Sequence, residues 1–173
     1  MKIEITLGDS KSTRNAINEL KKYRDDIKKK TETLRQIIAE KIAIKADYVF
    51  SQSIVSDIFL GDEPRKADVE VTIDESENLS IVIAKGEDAI WVEFGAGVYH
   101  NTSVGTSPHP MGSQLGFTIG GYGEGKGANK TWFYKGDNEQ WIGTKGTRAT
   151  MPLFMAVEEI RDEILEIARE VFK

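Results

Sequence analysis

A chain of 173 residues, 39% apolar and 29% charged, is long enough to bury one core, and its net charge of −5 argues against non-specific nucleic-acid binding by the whole molecule. It has no cysteine, which excludes disulfides, thiolate metal sites and a cysteine nucleophile. No window approaches about 18 consecutive apolar residues and the N-terminus has no signal-peptide core, so the expectation is a protein without a membrane span, made and kept in a cytoplasm.

In chain order, Met1 to Leu7 alternates apolar and polar residues and predicts a short strand. Gly8-Asp9-Ser10 is a turn, with Ser10 or Ser12 able to cap the helix after it. From there to about Ile54, Ile17, Leu20, Ile27, Leu34, Ile38, Ile42, Ala46 and Val49 recur at three and four residues, a helix period with no Pro or Gly. About 40 helical residues measure about 60 Å, whereas a compact domain of this size is about 32 Å across. The expectation is a break in Lys28-Lys29-Lys30-Thr31-Glu32, with Thr31 capping the second piece; the alternative is a helix that projects and needs a neighbour. Val69–Ile73 and Leu79–Ile83 read as an antiparallel hairpin. Ala89–Phe94 reads equally as strand or helical turn. Thr131–Tyr134 and Gln140–Ile142 are two further short strands around Gly136-Asp137-Asn138. The last segment is a helix, with Thr150 as N-cap, Pro152 in its first turn and Leu153, Val157, Ile160, Ile164, Ile167 and Val171 as its apolar stripe.

Between Gly95 and Gly146 lie 13 of the 16 glycines. So long a stretch without regular structure points to binding or assembly, and residues 98–130 read as a flexible Gly-rich insertion in a single domain spanning 1–173. The whole is an α+β fold: long N-terminal and C-terminal helices on a mostly antiparallel sheet, with the insertion inside that sheet. Charge is uneven. Residues 1–60 carry +3, residues 61–150 carry −5 and residues 151–173 carry −3. The basic first and acidic last segments attract each other within a chain or between copies, or are two ordinary solvated faces.

Several constellations bear on chemistry. His100 and His109, with Glu93, are the residues able to supply three zinc ligands to a metal-dependent hydrolase, although their spacing matches no standard metal motif. No Gly-x-Ser-x-Gly nucleophile turn is present. The run Gly120–Gly127 lacks the Gly-Lys-Ser/Thr ending of a phosphate loop, so no cofactor is expected. Arg24, Lys28, Lys29, Lys30 and Arg35 form a basic strip that meets DNA, an acidic neighbour or solvent. Trp91, Phe94, Trp132, Phe133, Tyr134 and Trp141 border the insertion, divided between core and interface anchors; with the basic strip they are also the parts of a nucleic-acid-binding module.

The order of elements resembles the head–tail connector family of long-tailed bacteriophages and prophages, also described as minor tail or tail-completion proteins. A long Lys/Glu-rich helix leads into a β-meander, then Val92-Glu93-Phe94-Gly95 with a small residue after it. His109-Pro110, the aromatic strand Trp132-Phe133-Tyr134 and a Gly-rich lead into Pro152-Leu153-Phe154 come next. The segments 90–97 and 143–160 carry most of the resemblance. Two features depart from it. Ser51 to Lys66 lacks the Pro…Thr-Gly-x-Leu segment common after the long helix, and Thr150-Met151-Pro152-Leu153-Phe154 replaces an Arg-Pro-Phe-like string. The resemblance implies a non-enzymatic virion component, assembled in the host cytoplasm and placed at the neck. Its partners would be copies of itself in a ring and neighbouring connector, portal-side or tail-tube proteins, with DNA passing nearby unbound and no membrane. It marks Trp91, Glu93, Phe94, His109, Pro110, Trp132, Tyr134 and Arg148 as candidate assembly-interface residues.

Overall fold

The computed structural model of the chain describes residues 6, 8–121, 125–136 and 138–173. The expected strand at Met1–Leu7 lies outside them except for Thr6, as does Asp137 of the turn expected at 136–138. The first described element is α1 (Ser10–Gln52), capped not by Ser10 or Ser12 but by Asp9, whose carboxylate accepts from the Lys11 and Ser12 N–H groups at 2.9 and 3.2 Å. It has no break at residues 28–32. Lys30 pairs with Asp26 and Lys28 lies 4.0 Å from Glu32, both one turn away, while Lys28 also reaches Glu77 at 3.1 Å. The Thr31 hydroxyl donates back to the Ile27 carbonyl at 2.9 Å instead of capping a second helix. The 43 residues form one rod about 64 Å long.

Then come β1 (Ile54–Val55), β2 (Ile58–Leu60), β3 (Arg65–Lys66), β4 (Glu70–Glu75), β5 (Ser80–Lys85), α2 (Ala89–Phe94) and α3 (Val98–Asn101). The remaining elements are β6 (Gly105–Thr106), α4 (Gly112–Leu115), β7 (Thr118–Ile119), a 3-10 turn at Lys126–Ala128, β8 (Trp132–Lys135), β9 (Trp141–Thr144) and α5 (Pro152–Val171). The expected hairpins are present as β4–β5 and β8–β9, and the ambiguous segment 89–94 is helical. Among the described residues all strand pairs are antiparallel, but they make four small sheets, β1–β3, β2–β9–β8, β4–β5 and β6–β7, in place of the single expected sheet. Strands of two to six residues offer few ladder positions, so the helices supply the common core. The insertion is likewise not bare, since it holds α3, β6, α4 and β7, and it buries Asn101, Ser107, His109 and Ile119.

The core joins the C-terminal half of α1 (Ala46, Phe50) to Val55, Val92 of α2 and Ala156 of α5, with Ile42, Val69, Val71 and Leu153 packed against it. α5 runs antiparallel to α1: Lys45 pairs with Glu159 and Lys41 with Glu163, and Lys30 donates to the carbonyl of Lys173. These contacts with the body reach α1 from about residue 28 onward. The preceding 18 residues, Ser10 to Ile27, extend about 27 Å further, and of them Ala16 is buried.

One buried carboxylate ties the strands to α2. Asp88 accepts two hydrogen bonds from the Arg65 guanidinium, at 2.5 and 2.9 Å, and one from the Asp68 N–H at 3.0 Å. Burial alone raises its pKa, but the hydrogen bond from Arg65, the Asp68 N–H and the Arg65 charge outweigh it and hold the carboxyl below the usual 3.8. A depressed native pKa stabilises the fold fully above the ordinary aspartate range, and the contribution is lost as pH falls through that range toward the native value. Asp88→Asn is expected to cost about 1–3 kcal/mol at pH 7. The variant should also lose less stability than the parent between pH 5 and 3, measured by urea titration; equal acid losses would show that Asp88 is not the group responsible.

Candidate functional site

The two segments that carry the family resemblance, 90–97 and 143–160, meet in space. Ala96 and Thr147 form an isolated antiparallel bridge, exchanging both N–H···O bonds at 2.9 Å. The approach is close because residue 146 is glycine. Its φ is 89°, and a Cβ there would stand 2.1 Å from the Ala96 carbonyl oxygen and 2.7 Å from the ring of Trp132. Asn101 at the end of α3 locks the crossing. Its amide donates to the Gly97 and Thr147 carbonyls at 2.9 and 2.8 Å, and its oxygen accepts from the Ala149 N–H at 2.9 Å.

Beside this crossing, Glu93 serves as the N-cap of a helix 60 residues away. α5 starts from Met151, in the left-handed region with φ 54° and ψ 51°, and no side chain of its own lead-in caps it. Thr150, expected as the cap, instead meets the hydroxyl of Ser53 at 2.8 Å. The Glu93 carboxylate reaches across to accept from the Leu153 and Phe154 N–H groups, both at 3.0 Å. A carboxylate there meets the positive end of the helix dipole as well as two otherwise unmatched donors. It also accepts from His109 Nε2 at 3.1 Å, while His109 Nδ1 accepts from the Met111 N–H at 3.0 Å. These partners fix the tautomer: Nδ1 offers its lone pair to Met111 and the ring proton sits on Nε2, facing Glu93. Ser107 completes the site, donating to the Phe94 carbonyl and accepting from the His109 N–H. Phe94 stacks on Phe117 at 3.8 Å between centroids, and His109 lies between the rings of Phe94 and Phe154.

Glu93 is 6% exposed and His109 5%, and both oxygens of the one and both nitrogens of the other are engaged. The arrangement is a structural bolt. The zinc set His100, His109 and Glu93 is not assembled: His100 Nε2 faces Asp57 at 3.0 Å, and Lys145 reaches the same carboxylate at 3.4 Å. Among the described residues no group of three or more His, Asp or Glu is placed to hold a metal ion.

The other candidates scatter. Trp132 is buried beneath Gly97 and Gly146, and Trp91 and Tyr134 line a cleft of about 230 Å³ with Arg65, Asp88 and Asp62. Pro110 is exposed, as is Arg148, which borders a second cleft of about 500 Å³ with His100 and Asp57. The basic strip divides too. Arg35 is a clamp, donating to the carbonyls of Ser76 and Glu77 and to the Ser80 hydroxyl at 3.0 Å each. Lys28 is held by Glu77, with its pKa raised chiefly by that hydrogen bond, and Arg24 pairs with its neighbour Asp25. Lys29 stays exposed.

Asn101 stands outside every motif legible in the sequence. An Asn following a Gly-rich turn carries no local sign that its partners lie 46 and 48 residues on. Among the described residues no helix is long and apolar enough to cross a membrane. Comparison with protein-family models, with curated proteins and with solved structures finds no match to this chain.

Proposed function

We propose that the chain is a non-enzymatic structural component of a tailed-phage or prophage particle, forming or completing the head–tail junction by assembling into a ring. One observation carries the reading. A helix of 43 residues outruns the body that covers it, and its free length keeps Ile17, Leu20 and Tyr23 half-exposed. Apolar side chains on a projecting helix are stabilised when a neighbour covers them. The bolt around Glu93 supports the same reading, because it uses the polar residues most suited to catalysis to make the body rigid. The net charge of −5 suits a wall that lies beside DNA without gripping it.

Negative-stain electron microscopy of the purified protein, alone and mixed with the proteins encoded beside it, tests the reading. Closed rings are expected. A protein that stays monomeric in every mixture overturns it, as does a turnover activity abolished by changing His100 or His109.

A further inference from the structure

The projecting arm has a counterpart at the opposite end of the molecule. In the β2–β9–β8 sheet, Trp132, Ile142 and Thr144 point inward and are buried. The alternate positions Phe133, Gly143 and Trp141 face out, with Phe133 opposite Gly143 and Lys135 opposite Trp141. Gly143 leaves room for two rings above it, since a Cβ there would stand 2.8 Å from Phe59 and 2.9 Å from Phe133, which meet edge to face at 5.9 Å. Trp141 is 59% exposed, and Phe59, Phe133 and Leu60 are more than 40% exposed. Aromatic residues of this kind dominate the energetics of interfaces. Two exposed carboxylates lie beside the patch, Glu63 three residues after Leu60 and Glu139 just before Gln140, whose amide bonds the Gly61 carbonyl at 2.8 Å, and one exposed cation, Lys135, shares its face. Neither carboxylate makes an ion pair among the described residues.

The arm is the complement of this patch. Leu20 is 52% exposed, with Ile17 and Tyr23 similar. Arg14, Lys21 and Arg24 each lie one helical turn from Ile17 or Leu20, so the apolar strip has a cationic border. Arm and patch cannot meet within one chain. Leu20 stands 32 residues of unbroken helix, about 48 Å, from the end of α1 where the sheet begins.

We infer that the α1 arm of one copy docks on the Phe59–Phe133–Trp141 face of the next, with Arg14, Lys21 and Arg24 meeting Glu63 and Glu139. The inference rests on the ring-assembly reading and names the surface through which the ring closes. A contact between different patches of identical copies is heterologous, so it propagates head to tail and ends only by closing a ring or growing a filament. An arm about 27 Å long and about 10 Å wide covers about 270 Å² on its neighbour, well below the roughly 800 Å² per partner of a stable pair. The contact is therefore weak singly and holds when closure gives every copy two of them.

The absence of cysteine makes cross-linking a clean test. Copies carrying Lys21→Cys are mixed with copies carrying Glu139→Cys or, as control, Leu165→Cys on the exposed face of α5, and treated with a short bismaleimide. Arm-to-patch dimers are expected with Glu139→Cys and not with Leu165→Cys. Light scattering then monitors Arg14→Glu, Lys21→Glu, Arg24→Glu copies, which should need at least about tenfold more protein to assemble. Glu63→Lys, Glu139→Lys copies mixed with them should restore assembly, and circular dichroism checks that each variant keeps its helix. Rings that form without the arm-to-patch product, or that link through Leu165→Cys instead, overturn this inference and leave ring assembly standing. A protein monomeric at every concentration and in every mixture overturns both.

Discussion

Glu93→Ala is expected to lower the free energy of unfolding by about 3–5 kcal/mol, because several buried donors lose one shared acceptor. The substitution strands three donors at once: the first-turn N–H groups of Leu153 and Phe154, and the Nε2–H of a histidine that is itself buried. Each donor lost from its partner without access to water costs about 1–3 kcal/mol, and the helix also loses the negative charge at its positive end. Glu93→Gln is the informative companion. With its oxygen toward Phe154 and His109 it keeps two acceptances and sets an N–H₂ against the Leu153 N–H, so a smaller loss of about 2 kcal/mol is expected. Urea titration monitored by far-ultraviolet dichroism reads both. An alanine variant unfolding at the parent's midpoint would show that α5 does not depend on its remote cap.

Gly146→Ala is expected to be comparably damaging for a different reason. The backbone at 146 is left-handed, which costs an L-residue about 1–2 kcal/mol, and the added methyl would overlap the Ala96 carbonyl at 2.1 Å. A backbone atom held in the 96–147 bridge cannot swing aside as a side-chain tip can, so the bridge must open. The total loss should be about 3 kcal/mol or more. Gly116→Ala separates the two contributions. Its φ is 74°, but a Cβ there meets nothing within 4 Å, so only the conformational part, about 1 kcal/mol, is expected. Equal losses at the two positions in thermal melts would mean that close approach is not what requires glycine at 146.

The two effects sit in one place because the halves of the chain are joined there. α2 leads into the crossing from one side and α5 leaves it on the other, so damage to the cap or to the bridge loosens the same junction. The arm and the aromatic face lie outside that junction, at the two ends of the rod. Substitutions at Leu20 or Trp141 should accordingly leave stability nearly unchanged while altering assembly.

Period and turn chemistry made α5, the β4–β5 hairpin and the β8–β9 hairpin legible, because alternation and three-to-four spacing are properties of neighbours in sequence. The apolar stripe of α1 was equally plain, but its continuity was not. Lys28, inside the stretch expected to break, pairs with Glu77, 49 residues away in the β4–β5 turn, a partner that no local pattern names. The division of the strands into four sheets was hidden for a similar reason, since short strands carry no record of their partners. Glu93 and His109 stood out as chemically able residues, and their type alone suggested a metal. Their role came from the position of the Leu153 and Phe154 N–H groups, which no local capping pattern announces.

The amino-acid order by itself determined which faces are apolar, where the chain turns, that no thiol chemistry is available, and that a basic first segment is joined to acidic ones. The tertiary structure decided which polar groups are spent inside and which apolar groups are left outside. Solvation and hydrogen bonding are settled by whatever atoms arrive alongside: a carboxylate becomes a helix cap, and a tryptophan becomes surface, only when distant parts of the chain have taken their places.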